Sequence, residues 1–156
     1  MFPKSKKMIK PGPDLLARVN QAFLDHGYSG LSMVVMARAC GFTQRALYYY
    51  FGNKEDAFRA MIDFRNTEAI ELGFAAGRAM RANGSSALDI VVEILDVRYG
   101  ETRRRVTRSP QTVELHAEAF KRSRALLAQS ALSFRAGREK VTPGFSKSRR
   151  VSTKGP

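Results

Sequence analysis

Gln44 and Arg45 carry the side chains of this sequence that are best suited to reading the edges of base pairs. A glutamine amide can form two hydrogen bonds with the N6/N7 edge of adenine, and a guanidinium can do the same at the O6/N7 edge of guanine. Tyr48, Tyr49 and Lys54 follow closely, and their hydroxyl and ammonium groups suit phosphate oxygens, contacts that fix register without reading sequence. The spacing therefore predicts contact with duplex DNA.

Two short helices around a tight turn must position these side chains. Ser32 can cap the first helix and Thr43 the second, because a hydroxyl accepts from the N–H groups left unpaired at a helix start. Gly41 lies between them, where a helix end favours a positive φ. Leu47 and Phe51 are four residues apart and predict the buried face of the second helix, whose polar residues then point outward.

Three linked segments resemble the DNA-binding domain of the TetR family of bacterial transcriptional regulators. They are a helix end with a glycine–aromatic turn at 22–28, a helix-turn-helix bend at 40–44, and a recognition-helix end with the opening of a fourth helix at 47–55. The resemblance covers about residues 12–65. It implies a three-helix DNA-binding domain, dimeric binding to a near-palindromic operator, and repression that a small ligand usually relieves.

The family pattern also implies roles for individual residues: Thr43, Gln44 and Arg45 would face the operator, while two tyrosines and a lysine would hold phosphates. The complete set of candidate DNA-binding residues is Ser32, Met33, Thr43, Gln44, Arg45, Tyr48, Tyr49, Tyr50 and Lys54. Arg45 departs from the family, which commonly has a small residue there, and it can reach either a guanine or a phosphate. Tyr50 stands where a histidine is common, which leaves its transferred role open.

Charge divides the 156 residues unevenly. The formal net charge is +13, of which residues 1–13 contribute +4 and residues 138–156 contribute +5. We expect a basic flexible arm (1–13), the DNA-binding domain (14–65, with the helix-turn-helix at about 33–52), a helical ligand-binding and dimerisation domain (66–136) and a basic disordered tail (137–156). The arm and the tail can contact phosphates or simply be solvated.

Helical periodicity without strand-like alternation predicts an all-α fold. The resemblance implies that it consists of a DNA-binding domain followed by a short helical regulatory and dimerisation domain. One helix is expected from Ser86 to Gly100, with its inward face formed by Leu88, Val91, Val92 and Leu95. An unbroken helix is expected from Pro110 to about Phe134, with an apolar stripe of Val113, Ala117, Phe120, Leu127, Ala131 and Phe134. Two copies packing through Phe120 and Leu127 would be the simplest dimer. This part is shorter than is usual in the family, which indicates either a curtailed member with a reduced pocket or an early end of the chain.

The sequence offers little for catalysis: it has no phosphate-binding glycine loop, no metal-ligand pair at useful spacing and no nucleophile with a recognisable base. We therefore expect no enzyme, no metal and no cofactor. A single cysteine, no signal-peptide core and no apolar run of about 20 residues predict a cytoplasmic protein. The leading prediction is a sequence-specific repressor, released by a small hydrophobic effector if it has one; the alternative is a non-specific basic DNA-binding protein without a ligand response.

Overall fold

The computed structural model describes residues 8–106 and 110–141, and this part of the chain is helical and contains no strand. Its helices are α1 (Pro13–Gly30), α2 (Met33–Ala39), α3 (Gln44–Leu47), α4 (Lys54–Ala82), α5 (Ala87–Val106), α6 (Pro110–Arg122) and α7 (Arg124–Val141). The all-α prediction is confirmed. No helix among these residues has the length and apolarity needed to cross a bilayer.

The helices form two units. The N-terminal unit contains α1, α2, α3, the start of α4 as far as Arg65, and α6. The second unit contains the rest of α4, α5 up to residue 104, and α7 from Ala125 onward. Helix α6, which lies within the region that the sequence assigns to the ligand-binding and dimerisation domain, packs against α1.

The core of the N-terminal unit forms on the predicted apolar face of α1, which buries Leu15, Leu16, Val19, Ala22 and Phe23. The other helices of the unit bury Met36, Leu47, Phe51 and Phe58 in the same core, with Leu115 and Ala119 of α6. Complete burial of one large apolar side chain contributes about 1.5–3 kcal/mol, so this cluster holds the short helices in place.

A kink at Gly27 (φ 69°) bends the end of α1 at the predicted glycine–aromatic turn. It places the Tyr28 ring against Phe58, with the ring centroids 4.9 Å apart and nearly perpendicular. The Phe23 ring contacts Phe58 in the same way at 5.0 Å. This aromatic cluster joins the end of α1 to the start of α4.

The expected unbroken helix from Pro110 to Phe134 is wrong, because the chain leaves helical geometry at Ser123. The predicted stripe also fails on α6, where Val113 and Phe120 are exposed and Leu115 and Ala119 are buried. Helices α6 and α7 belong to different units, and each buries the face that its own unit requires. The apolar pattern of the sequence continues from α6 into α7, so it does not reveal that the two helices pack in different units.

Helix α5 differs from its prediction in length and in orientation. It continues through Gly100 to Val106, and it buries Ile90, Val91 and Ile94. Leu88, Val92 and Leu95, predicted to face inward, are 62%, 56% and 39% exposed. Two apolar stripes run along this helix, and periodicity alone does not identify which one faces the core.

The expected disordered tail begins inside α7, which continues to Val141. Residues 137–141 are helical because they pack on α4: a Cβ added to Gly137 would lie 2.3 Å from Cε2 of Phe74, and Val141 is buried. The rest of the tail, residues 142–156, and the first seven residues of the basic arm lie outside the described residues.

Candidate DNA interface

Local hydrogen bonds build the helix-turn-helix as the sequence predicts. The Ser32 hydroxyl accepts from the main-chain N–H of Val35 at 3.2 Å and caps α2. The Thr43 hydroxyl accepts from the N–H of Ala46 at 3.1 Å and caps α3. Gly41 has a φ of 73°, as the bend requires of a residue without a Cβ.

Helix α3 is a single turn held by two apolar anchors. Leu47 and Phe51 are buried almost completely. This leaves Gln44 and Arg45 exposed at the head of the helix, while Tyr48 and Tyr49 after it are 39% and 36% exposed. Gln44 and Tyr48 are four residues apart, and the N–H of Tyr48 donates to the carbonyl of Gln44 at 3.2 Å, so this pair lies on one side of the helical turn. Thr43 is exposed beside them.

The structure separates Tyr50 from this exposed group. Its half-buried ring packs edge-on against Phe42 at 5.8 Å and lies 6.4 Å from Phe51. Met33 is also half-buried against the core, whereas Ser32 is exposed but uses its hydroxyl as a cap. The side chains of Tyr50 and Met33 are therefore partly used in packing within the N-terminal unit.

Lys54 has a partner inside the N-terminal unit. Its ammonium donates to the main-chain carbonyl of Tyr28 at 2.8 Å and lies 4.5 Å from the centroid of the Tyr28 ring. An ammonium carries three N–H donors, so this contact leaves donors for a phosphate. Lys54 thus links the start of α4 to the end of α1 in addition to any role toward DNA.

Two contacts beside the helix-turn-helix have no clear signal in the sequence. The N–H of Ile9, in the basic arm, donates to the carbonyl of Tyr49 at 2.8 Å and brings the exposed Lys10 close to the end of α3. Arg18 of α1 donates from Nη1 to the carbonyl of Cys40 at 3.1 Å, at the end of α2. Cys40 is buried completely, and desolvation raises the pKa of its thiol despite the nearby Arg18 charge.

Side-chain contacts hold α6 against the rest of the N-terminal unit, next to the Gly27 kink. The Glu114 carboxylate accepts from the N–H of Ser29 at 2.9 Å and from its hydroxyl at 2.7 Å. The Arg122 guanidinium lies 4.3 Å from the centroid of the Tyr28 ring. It also pairs with Glu118 on its own helix and with Glu55 of α4 at 3.7 Å. These contacts explain why α6 belongs to this unit.

Comparison with known proteins agrees with this geometry. Residues 15–61 match the family model described as bacterial regulatory proteins, tetR family, from α1 through the helix-turn-helix into the first turns of α4. Neither the curated proteins nor the solved structures include a match to the chain. The matched residues and the exposed side chains of α3 together identify a TetR-type DNA-binding domain with a helix-turn-helix at the N-terminal end of the chain.

Proposed function

We propose that this regulator is a sequence-specific repressor that binds a near-palindromic operator as a dimer. The observation that carries the proposal is the exposure of Gln44 and Arg45 at the head of a helix that Leu47 anchors in the core. A helix presented in this way can enter the major groove with its first residues on base edges. Thr43, exposed one position earlier, completes the base-facing group.

Phosphate contacts are assigned to residues around this group. The Tyr48 and Tyr49 hydroxyls lie after α3, where they can reach the DNA backbone while the head of the helix reads bases. Lys54 would contribute the ammonium donors that its bond to Tyr28 leaves over. Ser32 and Met33, at the start of α2, would approach the backbone from the other helix of the pair. Tyr50 would contribute through its packing on Phe42.

A dimer is supported by an apolar stripe on α5. Leu88, Val92, Leu95 and Tyr99 are exposed at successive spacings of four, three and four residues, which is the spacing of a coiled-coil seam. The pairing through Phe120 and Leu127 has less support, since the helix that would carry both is interrupted at Ser123. We therefore assign the contact with a second copy to α5. A small effector that reduces operator affinity completes the proposed cycle.

Selection of bound sequences from a random duplex pool, followed by mass measurement of the complex, tests this function. We expect a two-fold symmetric site occupied by two or four chains, with affinity at least about 10³-fold above that for random duplex. Failure to enrich any motif would contradict sequence-specific repression.

The formal charge of +13 favours one other function, non-specific binding to DNA through charge alone. Such a protein would bind all duplexes with similar affinity and a steep salt dependence. It would also tolerate loss of Gln44, because an amide adds nothing to charge-driven binding. The same selection experiment distinguishes the two functions.

A further inference from the structure

The basic arm is attached to the helix-turn-helix beside the exposed residues of α3. The N–H of Ile9 donates to the main-chain carbonyl of Tyr49 at 2.8 Å. Tyr49 lies just after α3, where main-chain carbonyls have no partner within the helix. A Cβ built on Gly52 would lie 3.9 Å from the Met8 sulfur, so the arm is also close to the residues that follow. The described part of the arm therefore runs past the end of α3.

The main chain of Ile9, rather than its side chain, makes this attachment. The side chains of Met8 and Ile9 are each 52% exposed, although both are large and apolar. Lys10 is exposed as well. A segment that served only to complete a core would bury such apolar side chains, because their removal from water is what stabilises a core. The bond to Tyr49 thus fixes the arm and leaves its side chains accessible to a partner.

Lys10 lies between two fixed points of the main chain. One is Ile9, and the other is Gly12, whose carbonyl accepts from the N–H of Leu16 in the first turn of α1 at 3.1 Å. Between them, Pro11 restricts the backbone of Lys10 to extended conformations. Gly12 is extended as well, with a φ of −79° and a ψ of 167°. A lysine whose backbone is already ordered loses less entropy on binding than one on a flexible segment.

The charge of the arm indicates what kind of partner it fits. No carboxylate whose side chain the structure describes forms an ion pair with Lys10. Residues 4–10 contain four lysines, and residues 1–13 contain no acid. Closely spaced cations of this kind suit a polyanion, and duplex DNA carries one negative charge per about 1.7 Å of its axis. The position beside α3 and the charge together favour the DNA backbone.

We propose that Lys10 contacts a phosphate immediately outside the base pairs that α3 reads, and that the bond between Ile9 and Tyr49 positions it there. A lysine ammonium is a point charge toward phosphate, and a phosphate contact carries no sequence information. Lys10 therefore adds affinity and register, and Ile9 is a positioning residue that acts through Lys10. The inference rests on the proposed placement of α3 against DNA, and it extends that surface into the arm.

Binding of the full chain to duplex DNA at several salt concentrations tests the contact. Lys10→Gln should reduce the slope of log affinity against log salt by about one for each bound chain, on the selected operator and on random duplex alike. Lys121→Gln is the control, because it removes the same charge from an exposed position of α6 in the same unit. An equal change of slope in the two variants, or a loss confined to one base-pair position, would overturn the assignment.

A double-mutant cycle tests the positioning role of Ile9. Ile9→Pro removes the N–H that binds Tyr49 without changing the charge, whereas Ile9→Ala shortens the side chain and keeps that N–H. Lys10→Gln should reduce the salt slope by about one in the Ile9→Ala background and by much less in the Ile9→Pro background. Equal reductions in both backgrounds would mean that Lys10 acts without the bond to Tyr49 and would overturn the role of Ile9.

Ethylation interference on the selected operator locates the contact without depending on the folding of Ile9→Pro. Ethylation of a phosphate just outside the contacted base pairs should weaken binding of the wild type but not of Lys10→Gln. The same pattern in both proteins would overturn the placement of Lys10. Failure of the selection to enrich a motif would contradict the repressor function, whereas an enriched motif with an unchanged salt slope in Lys10→Gln would overturn the arm contact alone.

Discussion

The carboxylate of Glu114 accepts two hydrogen bonds from Ser29, one from the hydroxyl at 2.7 Å and one from the main-chain N–H at 2.9 Å. Eighty-five positions separate the two residues in the sequence. This contact ties α6 to the end of α1, immediately after the Gly27 kink. It makes α6 part of the unit that carries the helix-turn-helix.

Glu114→Gln should make the stability of the protein less dependent on pH. The Ser29 hydroxyl, followed by its N–H, lowers the pKa of Glu114 below its ordinary value of 4.5. A carboxyl with a lowered folded-state pKa stabilises the fold above its unfolded-state pKa and loses that contribution as pH falls through the folded-state value. We expect a gap of about 0.5–1 kcal/mol between wild type and variant at pH 7, closing below about pH 4. Urea unfolding at several pH values measures it, and a pH-independent gap would argue for packing instead.

Gly27→Ala should destabilise the N-terminal unit by about 1–3 kcal/mol. Gly27 has a φ of 69°, and an added Cβ would lie within 2.3 Å of Oε2 of Glu114. Gly30 is the matched control, because nothing lies within 4 Å of a Cβ built there. Urea unfolding of the two alanine variants makes the comparison. Equal stabilities would mean that the kink does not depend on glycine.

Arg98→Met should stabilise the protein by about 1–3 kcal/mol, because a buried guanidinium that pairs with no carboxylate among the described side chains is replaced by an apolar side chain of similar length. Loss of the cation–π contact between Arg98 and the Phe134 ring should cost about 1–2 kcal/mol and reduce this gain. The midpoint of urea unfolding measures the net change. Destabilisation would indicate that the guanidinium is better compensated than its buried Nη1, which has no hydrogen-bond partner, implies.

Lys54→Ala should affect both folding and DNA binding. Loss of the bond from Nζ to the Tyr28 carbonyl should lower the free energy of unfolding by about 1 kcal/mol. Loss of a phosphate contact should weaken binding to all sequences alike and reduce the slope of log affinity against log salt by about one. Urea unfolding and binding titrations at several salt concentrations measure the two effects. An unchanged salt slope would restrict Lys54 to its structural contact.

Gln44→Ala should relax the preference at one operator position at a cost of about 1–3 kcal/mol, because the amide is expected to contact a single base pair. Gln21→Ala is the matched control, since Gln21 is exposed on α1 and bonds to Asp25. Binding to an operator series with every base substituted in turn provides the measurement. Equal loss on all sequences would remove the base-reading role from Gln44.

The helix-turn-helix was predictable because local interactions determine it. Ser32 and Thr43 cap the helices that follow them, and the φ of Gly41 depends only on its neighbours in the chain. Leu47 and Phe51 identify their own buried face by spacing.

The remaining features depend on contacts between distant segments. No residue near Ser29 indicates that Glu114 will bind it, and no proline or glycine marks the break at Ser123. Tyr50 packs on Phe42 for reasons of tertiary geometry that its own sequence neighbours do not reveal. The exposed stripe of α5 is as apolar as its buried one, so periodicity could not choose between them.

The placement of α6 has a consequence for any attempt to isolate the DNA-reading module. Because Leu115 and Ala119 complete a core that otherwise comes from residues before 65, the module is discontinuous in sequence and cannot be excised with a single cut. A fragment ending at Arg65 would carry every residue that we propose to face DNA and still leave part of its interior open to water. The segment that matches the family model is therefore shorter than the set of residues that must fold together.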